Sequence, residues 1–175
     1  MGYMLNSLGN LPIDDKIGFY IFVVNGGWRG GLYDIIERNF ANIAKKIGSN
    51  AVIAKGLDSE AWSSQIAKKY FGERHGELFH ALPALFLTDA HPEKLTRQSL
   101  RLIIPLRDVE KRFGDWDSFF GSLSKFAIER DPEFLQRFQD ADDAIAAGNR
   151  ILEIKPNFYG IGINVNALID RLRAR

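Results

Sequence analysis

Trp28 and Arg29 sit among four glycines in "VVNGGWRGGLYD" (23–34), between an apolar run and a run with helical spacing. Trp and Arg are common anchors of protein contacts. Glycine permits the tight turns and positive φ that let such side chains stand at a surface. A strand-to-helix turn also exposes helix N–H groups, and Arg29 beside them suits a small anion. The segment is neither a G-x-G-x-x-G fingerprint nor a P-loop, because no Lys-Ser/Thr pair follows the glycines. Three uses stay open: a permissive turn with Trp28 packed on the domain, a peptide or protein contact at Trp28 and Arg29, and an anion pocket.

Other residue types narrow the chemistry. The chain has no cysteine, so thiolate catalysis, disulfides and cysteine-based zinc sites are excluded. Its three histidines, His75, His80 and His91, lie in one stretch with Glu73, Glu77, Asp89 and Glu93. The spacing matches no HExxH arrangement, so the stretch reads as a loop of exposed His and Glu and no metal is expected. Asp115 reads as a helix cap, and Asp140, Asp142 and Asp143 as the solvent face of a helix. Nothing sets two carboxylates across one cleft, as glycoside hydrolysis needs, and no nucleophile elbow is present. In "FYGIGINV" (158–165), Tyr159, Ile161, Ile163 and Val165 alternate with Phe158, Gly160, Gly162 and Asn164. Glycine inside a strand often marks a close approach by another backbone or ring. This tail either completes the domain's own core or docks on a partner or second copy through Phe158, Tyr159, Gly160 and Gly162.

The elements that position these residues follow from periodicity. "KIGFYIFVV" (16–24) is a buried strand ending at Asn25-Gly26-Gly27. Ile35, Ile36, Phe40, Ile43, Ala44 and Ile47 mark a helix from Leu32 that Gly48 stops. "NAVIAKG" (50–56) is a second strand, expected parallel to the first. Asp58 or Ser59 caps a helix with Trp62, Ile66 and Tyr70 on its inner face. "LPALFLTD" (82–89) and "RLIIPL" (101–106) are strands too close in sequence for a crossover helix, hence antiparallel. Pro105 puts the latter at a sheet edge. A helix from about Trp116 turns Phe119, Phe120, Leu123 and Phe126 inward. Asp131-Pro132 breaks it and starts another with Phe134, Phe138, Ala141 and Ile145 on its buried side, ended by Gly148. "RILEIK" and "FYGIGINV" flank Pro156-Asn157 as a hairpin, and Asn166 caps a last helix. Four strands are therefore expected before the tail.

This order resembles the thioredoxin fold. Thioredoxins carry W-C-G-P-C after their first core strand, and "WRGGL" (28–32) stands in that place. Trp28 and Gly30 match, while Arg29 and Leu32 stand where the two cysteines would be and Gly31 where the proline would be. Pro83 in "ALPAL" corresponds to the family's cis-proline. The resemblance covers about residues 16–130. It implies an α/β, thioredoxin-like central mixed sheet flanked by helices in a domain spanning 1–130. A C-terminal helix and β-hairpin-helix appendage (131–175) packs on it. The missing cysteines imply no dithiol redox activity. What remains is a groove between the turn and the residue before Pro83, where the family pairs with an extended peptide. Trp28, Arg29, Gly30, Gly31, His80, Leu82 and Pro83 are its candidate residues.

Composition is consistent with this. Hydrophobic residues make up 46% and charged residues 26%, enough for a full core. Twenty-three basic residues nearly balance 22 acidic ones, so no global field draws nucleic acid or an anionic membrane. No run approaches a bilayer span, and the N-terminus lacks the basic and apolar regions of a signal peptide. The expectation is a cytoplasmic, non-enzymatic interaction or regulatory module with no cofactor. Its partner is a protein or peptide, with homodimerisation a further possibility. An enzyme or small-ligand binder built on an Arg29 anion pocket is the rival.

Overall fold

The computed structural model describes residues 1–27, 30–96, 99–131 and 133–137. Five strands form one mixed sheet in the order β1-β3-β2-β4-β5: β1 (Gly2–Leu5), β2 (Phe19–Val24), β3 (Ala51–Gly56), β4 (Ala84–Thr88) and β5 (Leu102–Pro105). β3 runs parallel to both β1 and β2, β4 is antiparallel to β2, and β5 is antiparallel to β4. Six helices are described: α1 (Leu32–Lys46), α2 (Ser59–Ile66), α3 (Gly76–Ala81), α4 (Val109–Phe113), α5 (Trp116–Glu129) and α6 (Glu133–Gln136). α2 continues into a π-helical turn, Ala67–Phe71.

Both faces of the sheet are covered, which is why β2 is apolar throughout and β4 at every position but its last, Thr88, rather than alternating. Phe19, Ile21 and Val23 face α1, α5 and α6, where Phe119, Phe126 and Phe134 are buried. Tyr20, Phe22 and Val24 face α2, α3 and an N-terminal strap that buries Leu8, Leu11 and Ile17. Phe22 is the hub of that side, with ring centres 5.6 Å from Tyr70 and 5.9 Å from both Trp62 and Phe86. The Trp62 indole Nε1 is buried with no hydrogen-bond partner among the described residues. Trp62→Phe removes that orphaned donor while keeping a ring. It should cost less than about 1 kcal/mol, where Trp62→Ala should cost about 3–5 kcal/mol, read from urea midpoints.

The expected caps and pairings occur. Asp58 caps α2 and Asp115 caps α5 through their carboxylates. β2–β3 is parallel, β4–β5 is antiparallel, and β5 lies at an edge. Asp131 accepts from the Glu133 amide at the start of α6. Three elements were not expected: β1, α3 and α4. β1 makes five strands rather than four before the tail. Its half-exposed "GYML" has no strong alternation, and its partner on β3 is about fifty residues away, so its pairing is tertiary. α3 and α4 have six and five residues, too short for an apolar stripe to show a period. The remainder of the helix expected to end at Gly148, the hairpin and the last helix lie outside the described residues.

Candidate functional site

The site begins with register. β2 and β4 pair so that Val24 faces Ala84. The turn after Val24 and the proline before Ala84 therefore meet at one end of the sheet, although 59 positions separate Val24 from Pro83 in the chain. The Leu82–Pro83 peptide is cis. The Pro83 carbonyl accepts from the Leu106 amide at 2.9 Å, tying this corner to the chain just after β5.

The turn is anchored from below. Asn25 is buried; its amide donates to the Ser63 hydroxyl at 2.9 Å, and that hydroxyl donates back to the Asn25 carbonyl at 2.8 Å. This pair fastens the β2–α1 turn to α2. Gly31 then caps α1 at φ 61°, ψ −130°, a conformation that side chains with a Cβ avoid. Gly30 also has positive φ and is exposed. Trp28 and Arg29 lie outside the described residues. Gly31 supplies no side-chain cap, and Asp34 in the first turn brings a negative charge to the end where an anion would bind.

The opposite rim comes from α3. Leu82 is buried in the core, and its amide reaches the Phe79 carbonyl at 3.5 Å, a long bond that an incoming chain would readily displace. His80 is exposed in the last turn of α3, and its carbonyl accepts from the Arg107 guanidinium at 3.4 Å. Phe79 is 39% exposed, an unusual share for phenylalanine next to a sheet end. The chain that leaves β2 toward Gly30 and Gly31 and the chain that enters β4 through His80, Leu82 and Pro83 thus lie at the same end of the sheet, with Phe79 and Arg107, which the sequence did not single out, beside His80. Exposure of Phe79 depends on how a six-residue helix docks, and no periodicity reports that.

A polar group on the α1 side was also missed. Lys55 in β3 has a side chain only 10% exposed, forms an ion pair with Glu37 of α1, and lies 4.9 Å from the Phe40 ring centre. Tyr33 shares a 3.4 Å hydrogen bond with Ser59. Burial, reinforced by the charges of Glu37 and Asp34, pushes the Tyr33 phenol up to about 12, so it remains a hydrogen-bonding phenol at neutral pH. The signal was a lone lysine inside an apolar strand, since a buried ammonium requires a partner.

The histidine-rich stretch is not the exposed loop expected. His75 and His80 are exposed, but His91 is only 5% exposed and holds two backbone groups. Asp89 accepts from the Leu100 amide at 2.6 Å. Among the described residues no three His, Asp or Glu side chains are grouped to hold a metal ion. Asp115 accepts from the Ser118 amide at 2.7 Å and from its hydroxyl at 3.0 Å, which holds its carboxyl below the ordinary value. Asp140, Asp142 and Asp143 lie outside the described residues, as do Phe158, Tyr159, Gly160 and Gly162. No helix among the described residues is long and apolar enough to cross a membrane.

No protein-family model matches the chain, and neither a curated protein nor a solved structure matches it.

Proposed function

We propose that this chain is a cysteine-free, thioredoxin-like interaction module that binds an extended peptide or protein segment at the corner between Gly30–Gly31 and Pro83. The observation that carries the proposal is the Val24–Ala84 register, which brings the glycine turn and the proline to one sheet end. A mixed sheet flanked by helices, with the Leu82–Pro83 peptide just before β4, supports the reading. Exposed Phe79 and half-buried Pro83 offer an apolar contact, while Arg107 and His80 offer polar ones. An extended segment would add backbone hydrogen bonds at Leu82, the mode in which peptides augment sheet edges. Residues 150–175, with Phe158, Tyr159, Gly160 and Gly162, serve in this reading as a second docking element. The module works in the cytoplasm, without cofactor or nucleic acid, on a protein, a peptide or a second copy.

Peptides selected from a random extended library test it. Titrated into labelled protein, they should move the resonances of Gly30, Gly31, His80 and Leu82. Phe79→Ala and His80→Glu, both at exposed positions, should weaken binding about tenfold or more without changing the melt. Selected peptides that perturb other surfaces and ignore both variants would overturn the site. With no thiol in the chain, dithiol-dependent reduction of insulin disulfides should run at the buffer rate. Turnover above that rate would contradict the redox-inactive assignment.

A further inference from the structure

His91 lies at the other end of the sheet from this corner, beside Tyr20, whose register partner Thr88 closes β4. Its ring is buried edge-on to Tyr20, with centres 5.6 Å apart. Both ring nitrogens are committed. Nδ1 lies 3.1 Å from the Glu93 amide nitrogen, which can only donate, so Nδ1 must be an unprotonated acceptor. Nε2 lies 3.2 Å from the Leu11 carbonyl, which can only accept, so Nε2 must carry the hydrogen. Two backbone groups therefore select one neutral tautomer. The bond to Leu11 spans 80 residues and holds the N-terminal strap onto the 89–95 loop. Outside it, Lys94 bonds to Asp15 at 2.5 Å and links the same two segments.

We propose that His91 is the pin of a pH-sensitive latch, which holds the strap over the Tyr20–Phe22 face and releases it when the imidazole takes a second proton. That proton would sit on Nδ1 and set two N–H groups against each other. The cap on the 92–94 turn is then lost and a charge is left in a buried ring pocket. Tyr20 of β2 lies edge-on to the ring. The charged and titratable groups of the segments that meet here are Asp14 and Asp15 of the strap, which act on Tyr20, Tyr70 of the π-helical turn, which donates to the Ala90 carbonyl, Lys69, which pairs with Glu93, and Lys94, which pairs with Asp15. Asp89 acts on Arg101. Both ring nitrogens bond to backbone groups, so a second proton leaves the Nδ1–H facing the Glu93 N–H. Lys94 already holds the Asp15 carboxyl below its ordinary value through their hydrogen bond, so Asp15 stays ionised while imidazole titrates. The latch is accordingly closed while the ring is neutral and opens when it is protonated.

Hydrogen exchange on the full chain reads the latch, comparing about pH 7.5 with about pH 5.5 after correction for intrinsic rates. Protection of the Leu11 and Glu93 amides should fall about tenfold or more at the lower pH, while Ile21 and Ile53 in β2 and β3 keep theirs. His91→Asn retains a side-chain acceptor for the Glu93 amide but cannot titrate. Its Leu11 protection should not depend on pH. A flat wild-type profile, the same pH step in His91→Asn, or a loss shared equally by β2 and β3 would overturn the latch. A nitrogen-15 spectrum of the wild-type imidazole at neutral pH should show hydrogen on Nε2. Hydrogen on Nδ1 would overturn it independently of any variant.

Discussion

Gly56→Ala should destabilise the protein by about 3 kcal/mol, the upper end of the cost of inserting a methyl into a packed site. An added Cβ would lie 2.2 Å from the Trp62 Cβ, 2.7 Å from its Cγ and 2.7 Å from the Asp58 carbonyl oxygen. None of these atoms has room to yield. Trp62 is 2% exposed and edge-on to Phe22. Asp58 is held because its carbonyl accepts from the Trp62 amide at 3.0 Å while its carboxylate caps α2. Relief requires α2 to move off the sheet, opening the Phe22 side of the core and loosening the Ser63–Asn25 tether of the glycine turn. Gly121→Ala in α5 is the control. A Cβ there meets nothing within 4 Å, and alanine in a helix interior should stabilise by about 0.5–1 kcal/mol. Urea midpoints of the three proteins decide it: a Gly56→Ala cost no larger than the Gly121→Ala change would mean that β3 and α2 are not so closely packed.

Phe134→Ala should cost about 3–5 kcal/mol, a large part of the 5–15 kcal/mol that holds a typical domain together. Phe134 is 1% exposed, stacks 5.1 Å from Phe126 and lies 5.7 Å from Phe113. α6 has only four residues and would not hold alone. It is fixed because Arg112 donates to the Arg137 carbonyl at 2.9 Å and Arg137 donates to the Arg112 carbonyl at 3.2 Å, so two helix ends clasp each other. A chain ended after Arg130 loses Phe134 and the equally buried Leu135 and should not melt cooperatively. A chain ended after Gly148 keeps every described element and should melt cooperatively while losing partner binding or self-association. If the 1–148 chain is molten, the tail is core rather than docking element. If it melts normally with association unchanged, the tail does not dock. Ile128→Ala, at a 44% exposed position on α5, should change the melt little.

The order of most elements was legible from the chain because their signals are local. The run Phe19–Val24 has no polar residue to interrupt it, so it must be a strand covered on both faces. The 3.6-residue spacing from Leu32 to Ile47 allows only one buried stripe, and Ile36, Ile43 and Ile47 are the residues it buries. Asp58 and Asp115 were readable as caps because a cap needs only amides two or three positions on. The antiparallel pairing of β4 and β5 followed from a connection too short for anything else. The candidate site was legible in part: the Trp28–Arg29 turn, His80 and Pro83 were singled out by residue type and by resemblance. Tertiary structure decided what depends on distant partners. β1 is a strand only because β3 offers it a parallel edge. Lys55 is buried because Glu37, eighteen residues earlier on another element, neutralises it there. His91 is a buried pin because a carbonyl eighty residues away is the acceptor it meets, and Phe79 is exposed because short α3 docks with that side outward. Periodicity and capping act within a few residues of chain and leave a mark in the sequence. Register, buried ion pairs and long-range hydrogen bonds join residues through space, and no local pattern encodes them.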